Sequence, residues 1–183
     1  MKKWKLLDSK RAFDNRWFKV RQDKVKLPNG KIIDDYFVWL KGDVAMMVPV
    51  TDKGELIFVK QYKHAARKIM IECPAGFIDE GEKPLEAAKR ELMEEIGYRA
   101  DFSLIARAED EPTKAEGVIY IYLAQNLKPV KRTSSDDNEE IEILKIPFKK
   151  ALAMIDKGEI WANETIAATF LALKKLGVLK RLL

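Results

Sequence analysis

The stretch from Gly76 to Tyr98, GFIDEGEKPLEAAKRELMEEIGY, constrains this chain more tightly than any other. It reads as a glycine-bearing loop running into a short helix. Pro84 suits the first helical turn, where its missing N–H removes no bond. Gly97 stands where a left-handed cap would end the helix. Between them Leu85, Ala88, Leu92 and Ile96 recur at three- and four-residue steps, which predicts one apolar stripe to bury. Glu91, Glu94 and Glu95 fall at i, i+3 and i+4, so their carboxylates share a neighbouring face. Two readings stay open at this level. One is a solvated acidic face paired with Arg90. The other is a set of oxygen ligands for a hard cation such as Mg²⁺ or Mn²⁺, because clustered carboxylates repel unless something positive lies among them.

Composition narrows the frame. The 183 residues amount to one ordinary domain with room for a small appendage. A hydrophobic content of 47% and a charged content of 34% exclude a disordered chain. The net charge of +5 is compatible with a phosphate-bearing ligand and too small to require nucleic acid. Cys73 is the single cysteine, which excludes an internal disulfide framework and fits a reducing compartment. His64 is the single histidine, so no metal site or triad can be built from several. There is no apolar run of about 18 residues and no signal-peptide core in MKKWKLLDSK. A cytoplasmic protein without a membrane partner is expected.

At every fixed position the Gly76–Tyr98 stretch resembles the Nudix box, G-x5-E-x7-R-E-U-x-E-E-x-G-U, with Tyr98 where an aliphatic residue is usual. The resemblance implies a Nudix hydrolase, cleaving nucleoside diphosphates linked to another moiety. It also implies an α/β fold, the Nudix α/β/α sandwich with a mixed sheet and an N-terminal β-rich subdomain. In that family Glu91 and Glu95 would be metal ligands and Glu94 an additional ligand or a supporting partner. Arg90 and Glu82 would brace the loop against the helix, with Gly76, Glu82 and Gly97 as structural positions of the box. Glu72-Cys73-Pro74-Ala75-Gly76 resembles the ADP-ribose pyrophosphatase-like subgroup. There the Ala75 carbonyl would join the metal ligands and Glu72 would touch metal or substrate.

The remaining chain divides at about residue 42, with 1–42 as a β subdomain and 43–183 as the hydrolase domain. Trp17–Leu27 and Ile32–Leu40 flank Pro28-Asn29-Gly30, a strong hairpin signal. Aromatics in a hairpin usually pack. By resemblance, Trp17 first and Tyr36 second would stack on adenine, in a subdomain that commonly exchanges across a homodimer. Strands are expected over Val44–Val50 and Glu55–Tyr62, then Phe102–Ala108, Gly117–Ala124 and Ile141–Ile146. Lys63 and Arg67 lie in a basic loop that either is merely solvated or holds a pyrophosphate or ribose. Lys63 replaces the subgroup's usual Arg and so lacks a bidentate fork. Pro112 lies 15 residues past Gly97, as in the subgroup, but without its Ser-Pro-Gly context. Lys128–Glu140 reads as a polar connection, and by resemblance Asp137 and Glu139 would supply a base and a metal contact, with Glu140 as a rival. A last helix over Asn163–Leu176 would bury Ile166, Ala167, Phe170, Leu173 and Leu176.

The expected activity is Mg²⁺-dependent hydrolysis (Mn²⁺ as a substitute) of a nucleoside diphosphosugar, ADP-ribose giving AMP and ribose 5-phosphate. The expected catalytic set is Glu95, Arg90, Asp137 and Glu139. The alternatives are another nucleotide sugar, GDP-mannose or ADP-glucose, or a nucleotide-sensing Nudix protein without turnover. The intact Glu91, Glu94 and Glu95 argue against the last.

Overall fold

A computed structural model describes residues 1–132 and 140–182. The chain packs as two units, residues 1–43 with 109–118, and residues 44–108 with those from 119 onward.

The N-terminal unit is a four-stranded sheet. It contains β1 (Lys5–Asp14), β2 (Lys19–Lys26), β3 (Ile32–Leu40) and a two-residue strand, β9 (Ala115–Glu116), in that order across the sheet. The β2–β3 hairpin closes over Pro28-Asn29-Gly30, with Gly30 in the left-handed region at φ 89° and its N–H bonded to the Leu27 carbonyl at 2.9 Å. Sequence patterning does not reveal β1, because all ten of its residues are exposed and none is marked by burial. It also does not reveal that residues 109–118 return to this unit. Trp39 pairs in register with Ala115, and Arg21–Glu116 and Lys41–Asp110 ion pairs hold the returning segment. A two-residue strand carries no periodicity to read.

The second unit holds two sheets. β4 (Val44–Pro49), β7 (Ala75–Phe77), β8 (Tyr98–Glu109) and β10 (Val118–Pro129) form one, in the order β7-β4-β10-β8. β4 runs antiparallel to β7 and parallel to β10. β5 (Glu55–Lys63), β6 (Lys68–Glu72) and β11 (Glu142–Pro147) form the other, in the order β11-β5-β6. The helices are α1 (Pro84–Ile96), α2 (Phe148–Asp156), α3 (Asn163–Lys175) and the short α4 (Leu179–Leu182).

Side-chain alternation along the strands splits the core in two. Ala45, Met47, Ile57 and Val59 face Ala87, Ala88, Leu92 and Ile96 of α1. Their neighbours Met46, Val48, Leu56 and Phe58 face Ala151 and Met154 of α2 and Ala168 and Ala172 of α3. Helices therefore cover both faces, and the fold is the α/β sandwich anticipated. Because these strands are covered on both sides, they read as continuous apolar runs rather than alternating ones.

Two local expectations need correction. β10 continues through Lys128 and Pro129, which the sequence reading assigned to a connection. That end of the strand is largely exposed and so carries polar residues. In α3 the buried face is Thr165, Ala168, Thr169, Ala172 and Leu173, rotated from the expected stripe, with only Leu173 in common. The small side chains let the helix approach closely, and Thr165 adds a bond, its Oγ1 accepting the buried Cys73 N–H at 3.1 Å. A stripe chosen by hydrophobicity alone misses a face selected for size and for a backbone partner.

Candidate active site

α1 begins at Pro84, in the first helical turn as expected, and ends at Gly97 in the left-handed region (φ 72°, ψ 42°), whose N–H caps the Leu92 and Met93 carbonyls. The helix carries no basic residue in its last turn. Its C-terminal end is instead met from outside: Arg132 Nε donates to the Glu94 carbonyl at 3.0 Å and Val130 N–H to the Gly97 carbonyl at 2.9 Å. A cation there suits the negative pole of the helix. The signal for Arg132 is tertiary, and sequence reading passed it over.

Arg90 organises the face above the buried stripe. Its Nε and Nη2 grip Glu82 through both carboxylate oxygens, at 3.1 and 2.9 Å, and Nη2 also donates to the Phe77 carbonyl at 3.0 Å. Nη1 donates to Glu91 at 2.6 Å and to Glu94 at 3.4 Å. All five guanidinium N–H groups thus have partners. Loop residues 77–82 are tied to the helix by one side chain. The hydrogen bond from Arg90 holds the Glu82 carboxyl below its ordinary range, and the same bond, with those to Glu91, raises the guanidinium further.

Gly76 lies against the Glu91 carboxylate so closely that a Cβ would overlap it. Its backbone does not need a left-handed φ; the requirement is space. One turn on, the buried Glu95 accepts the Ala75 N–H at 3.2 Å through Oε2. Glycine, alanine and the two glutamates are therefore brought together where β7 meets α1. Glu72 approaches from β6. Its buried Oε2 takes no hydrogen bond, and the Lys63 ammonium stands 3.4 Å away as an ion-pair contact without hydrogen-bond geometry.

Among the described residues no three carboxylate, histidine or cysteine side chains converge as a ready-made metal cage. Arg90 draws Glu91 and Glu94 to itself. The donor set nevertheless suits an oxygen-bound divalent cation: only oxygen donors, a carboxylate seated in space that a Cβ would fill, and a further buried carboxylate oxygen without a hydrogen bond.

Other singled-out residues fall elsewhere. Arg67 is exposed at the β5–β6 turn in a left-handed conformation (φ 54°), its N–H bonded to His64. Trp17 is exposed between β1 and β2, with the Arg16 guanidinium 4.5 Å above its ring. Tyr36 lines a cavity of about 640 Å³ inside the N-terminal unit, together with Trp4, Arg21, Asp23, Pro112 and Lys114. Its hydroxyl donates to the Thr113 carbonyl and Trp4 packs edge-on against its ring at 5.8 Å. Trp17 does not line that cavity; Trp4, which sequence reading left unmarked, does. Asp137 and Glu139 lie outside the described residues, and Glu140 is exposed just before β11. Cys73 is fully buried and its thiol is pushed up to about 12, chiefly by burial. No described helix is long and apolar enough to cross a membrane.

A glutamate-bearing helix seated against a glycine strand, within an α/β sandwich, defines a class, and comparison with known proteins agrees. Residues 40–169 match the NUDIX domain model and residues 4–39 the nucleoside diphosphate sugar hydrolase N-terminal domain. The chain belongs to the Nudix family and is a Nudix pyrophosphohydrolase. It is 30% identical over 174 residues to the ADP-ribose pyrophosphatase of Bacillus subtilis (strain 168), covering 93% of this chain and 94% of that one. It is 29% identical over 166 residues to the methanol dehydrogenase activator of Bacillus methanolicus, covering 90% and 89%. Among solved structures it resembles the crystal structure of an ADP compounds hydrolase, with a TM-score of 0.87, 25% identity and 98% of each chain covered.

Proposed function

We propose that the protein hydrolyses the pyrophosphate of a nucleoside diphosphosugar with Mg²⁺, converting ADP-ribose to AMP and ribose 5-phosphate. The observation that carries this reading is the seating of Glu91 on Gly76 and of Glu95 on the Ala75 N–H, which gathers hard oxygen donors at one end of a braced helix. Relatives of this chain that carry ADP-ribose and ADP compounds in their names support the substrate class.

Glu91, Glu95 and the Ala75 carbonyl would hold the cation, with Glu94 beside them and Glu139 as a further ligand. When bound, such an ion withdraws charge from the pyrophosphate and makes a water more acidic. The chain's own groups do the remainder. Arg90 keeps the loop and helix in register through Glu82 and the Phe77 carbonyl. Lys63, half-exposed beside Glu72, offers a cation to a phosphate oxygen without the fork an arginine would bring. Glu72 stands 3.4 Å from that ammonium, and Arg67 adds positive charge at the same hairpin. Asp137 or Glu139 would align the attacking water. Tyr36, and Trp17 from its exposed turn, would stack on the base, the latter in keeping with a homodimer formed through the N-terminal unit. The single free Cys73 is in keeping with a cytoplasmic enzyme.

A hydrolysis screen with Mg²⁺ over ADP-ribose, ADP-glucose, GDP-mannose, NADH, diadenosine polyphosphates and nucleoside triphosphates tests the reading. Preferred release of AMP and ribose 5-phosphate from ADP-ribose is expected. Preference for a different sugar nucleotide would overturn the substrate but leave the helix chemistry, whereas tight nucleotide binding without turnover would overturn both.

A further inference from the structure

The two edges of the Arg90 guanidinium have different partners. Nε and Nη2 hold Glu82 and the Phe77 carbonyl, which is all that a brace between loop and helix requires. Nη1 does something the brace does not need. It reaches Glu91 at 2.6 Å, the shortest of the five bonds, and Glu94 at 3.4 Å. Adjacent helical side chains do not naturally face each other, yet Nη1 bonds Glu91, its chain neighbour, as well as Glu94 one turn on. Four carboxylates, Asp79, Glu82, Glu91 and Glu94, lie within ion-pair reach of one guanidinium, so negative charge outweighs positive there and leaves room for a further cation.

We propose that Nη1 of Arg90 is the resident counter-charge of these acids. It holds Glu91 and Glu94 together in the absence of a divalent cation and releases Glu91 when one binds, while Nε and Nη2 keep their grip on Glu82 throughout. Arg90 is thereby a positioning residue that also competes with the metal and sets how tightly it is held. This rests on the reading of α1 as the metal-bearing helix.

A brace alone and a competing cation predict different behaviour when Arg90 is replaced. Neither Arg90→Lys nor Arg90→Gln can form the fork on Glu82, and only lysine keeps a charge to pair with it, so a pure brace predicts equal losses or a smaller loss for lysine. A competing charge predicts that Arg90→Gln binds the metal more tightly than Arg90→Lys, because only lysine leaves a cation among the acids. The test is Mn²⁺ binding to chelator-stripped protein, followed by electron paramagnetic resonance of free Mn²⁺, with no turnover involved. The expected result is an affinity for Arg90→Gln about threefold or more above that for Arg90→Lys, the scale of one partly exposed ion pair. Equal affinities, or tighter binding by Arg90→Lys, would overturn the proposal while leaving the metal helix standing. Failure of wild-type protein to bind Mn²⁺ at millimolar concentration would overturn both. If either variant does not fold, guanidinium ¹⁵N resonances of wild-type protein carry the test. Saturating Mg²⁺ should move the Nη1 signal and leave Nε in place, and an unmoved Nη1 would refute the competition.

Discussion

Replacing Gly76 by alanine separates the demands of the site from those of the fold. The added Cβ would overlap the Glu91 carboxylate, while the backbone at this position needs no left-handed φ and accepts alanine without strain. What must move is the end of one side chain. Glu91 would swing off its rotamer, costing about 0.5–1.5 kcal/mol. It would also lose the 2.6 Å bond from Arg90, between side chains that are 14% and 28% exposed, which costs about 1–2 kcal/mol. The sum of about 1.5–3.5 kcal/mol lowers the melting temperature by about 3–14 °C for a chain of this length. Turnover should fall further than stability. Losing an outer partner of a metal ligand typically costs about 10–100-fold, and if Glu91 is a ligand as proposed, displacing it should cost at least about 100-fold. Thermal denaturation and ADP-ribose turnover at saturating Mg²⁺, on the same preparation, check both numbers. Near-normal turnover from a folded Gly76→Ala protein would mean that the position of Glu91 does not matter to the chemistry.

Glu95→Gln keeps a side-chain oxygen able to accept the Ala75 N–H, so the melting temperature should stay within a few degrees while turnover disappears; retained activity would refute its assignment as a ligand. Glu82, held below its ordinary value of 4.5 by the hydrogen bond from Arg90, contributes stability that is present above that pH and is lost as pH falls through the lowered folded value. Melting temperature against pH should therefore decline less steeply below pH 4.5 in Glu82→Gln than in wild type, and parallel curves would count against the pairing. Burial and a thiol pushed up to about 12 make Cys73 unreactive in the folded protein. A disulfide-exchange reagent at pH 8 should modify it only as fast as the protein unfolds, and rapid labelling would show an open path to the core.

Much of the box helix was legible because its signals are local. Pro84 and Gly97 act through their own backbones, and Leu92 and Ile96 recur at the helical period. The hairpin at Asn29-Gly30 was readable for the same reason. The rotated face of α3 was not, because Thr165 and Ala168 are buried for what they touch and for how little space they take. Trp4 lay in an unpatterned terminus, and nothing nearby in sequence indicated that it meets Tyr36.

The sequence by itself determined the chemistry available: glutamates at fixed helical spacing, an arginine beside them, and a glycine ahead of them. Only the tertiary structure decided that Gly76 makes room for Glu91, that Arg90 divides its five donors between brace and acids, and that Arg132 arrives 38 residues later to meet the Glu94 carbonyl. Spacing along a helix is set by covalent geometry, whereas which groups meet across it depends on packing between segments distant in the chain.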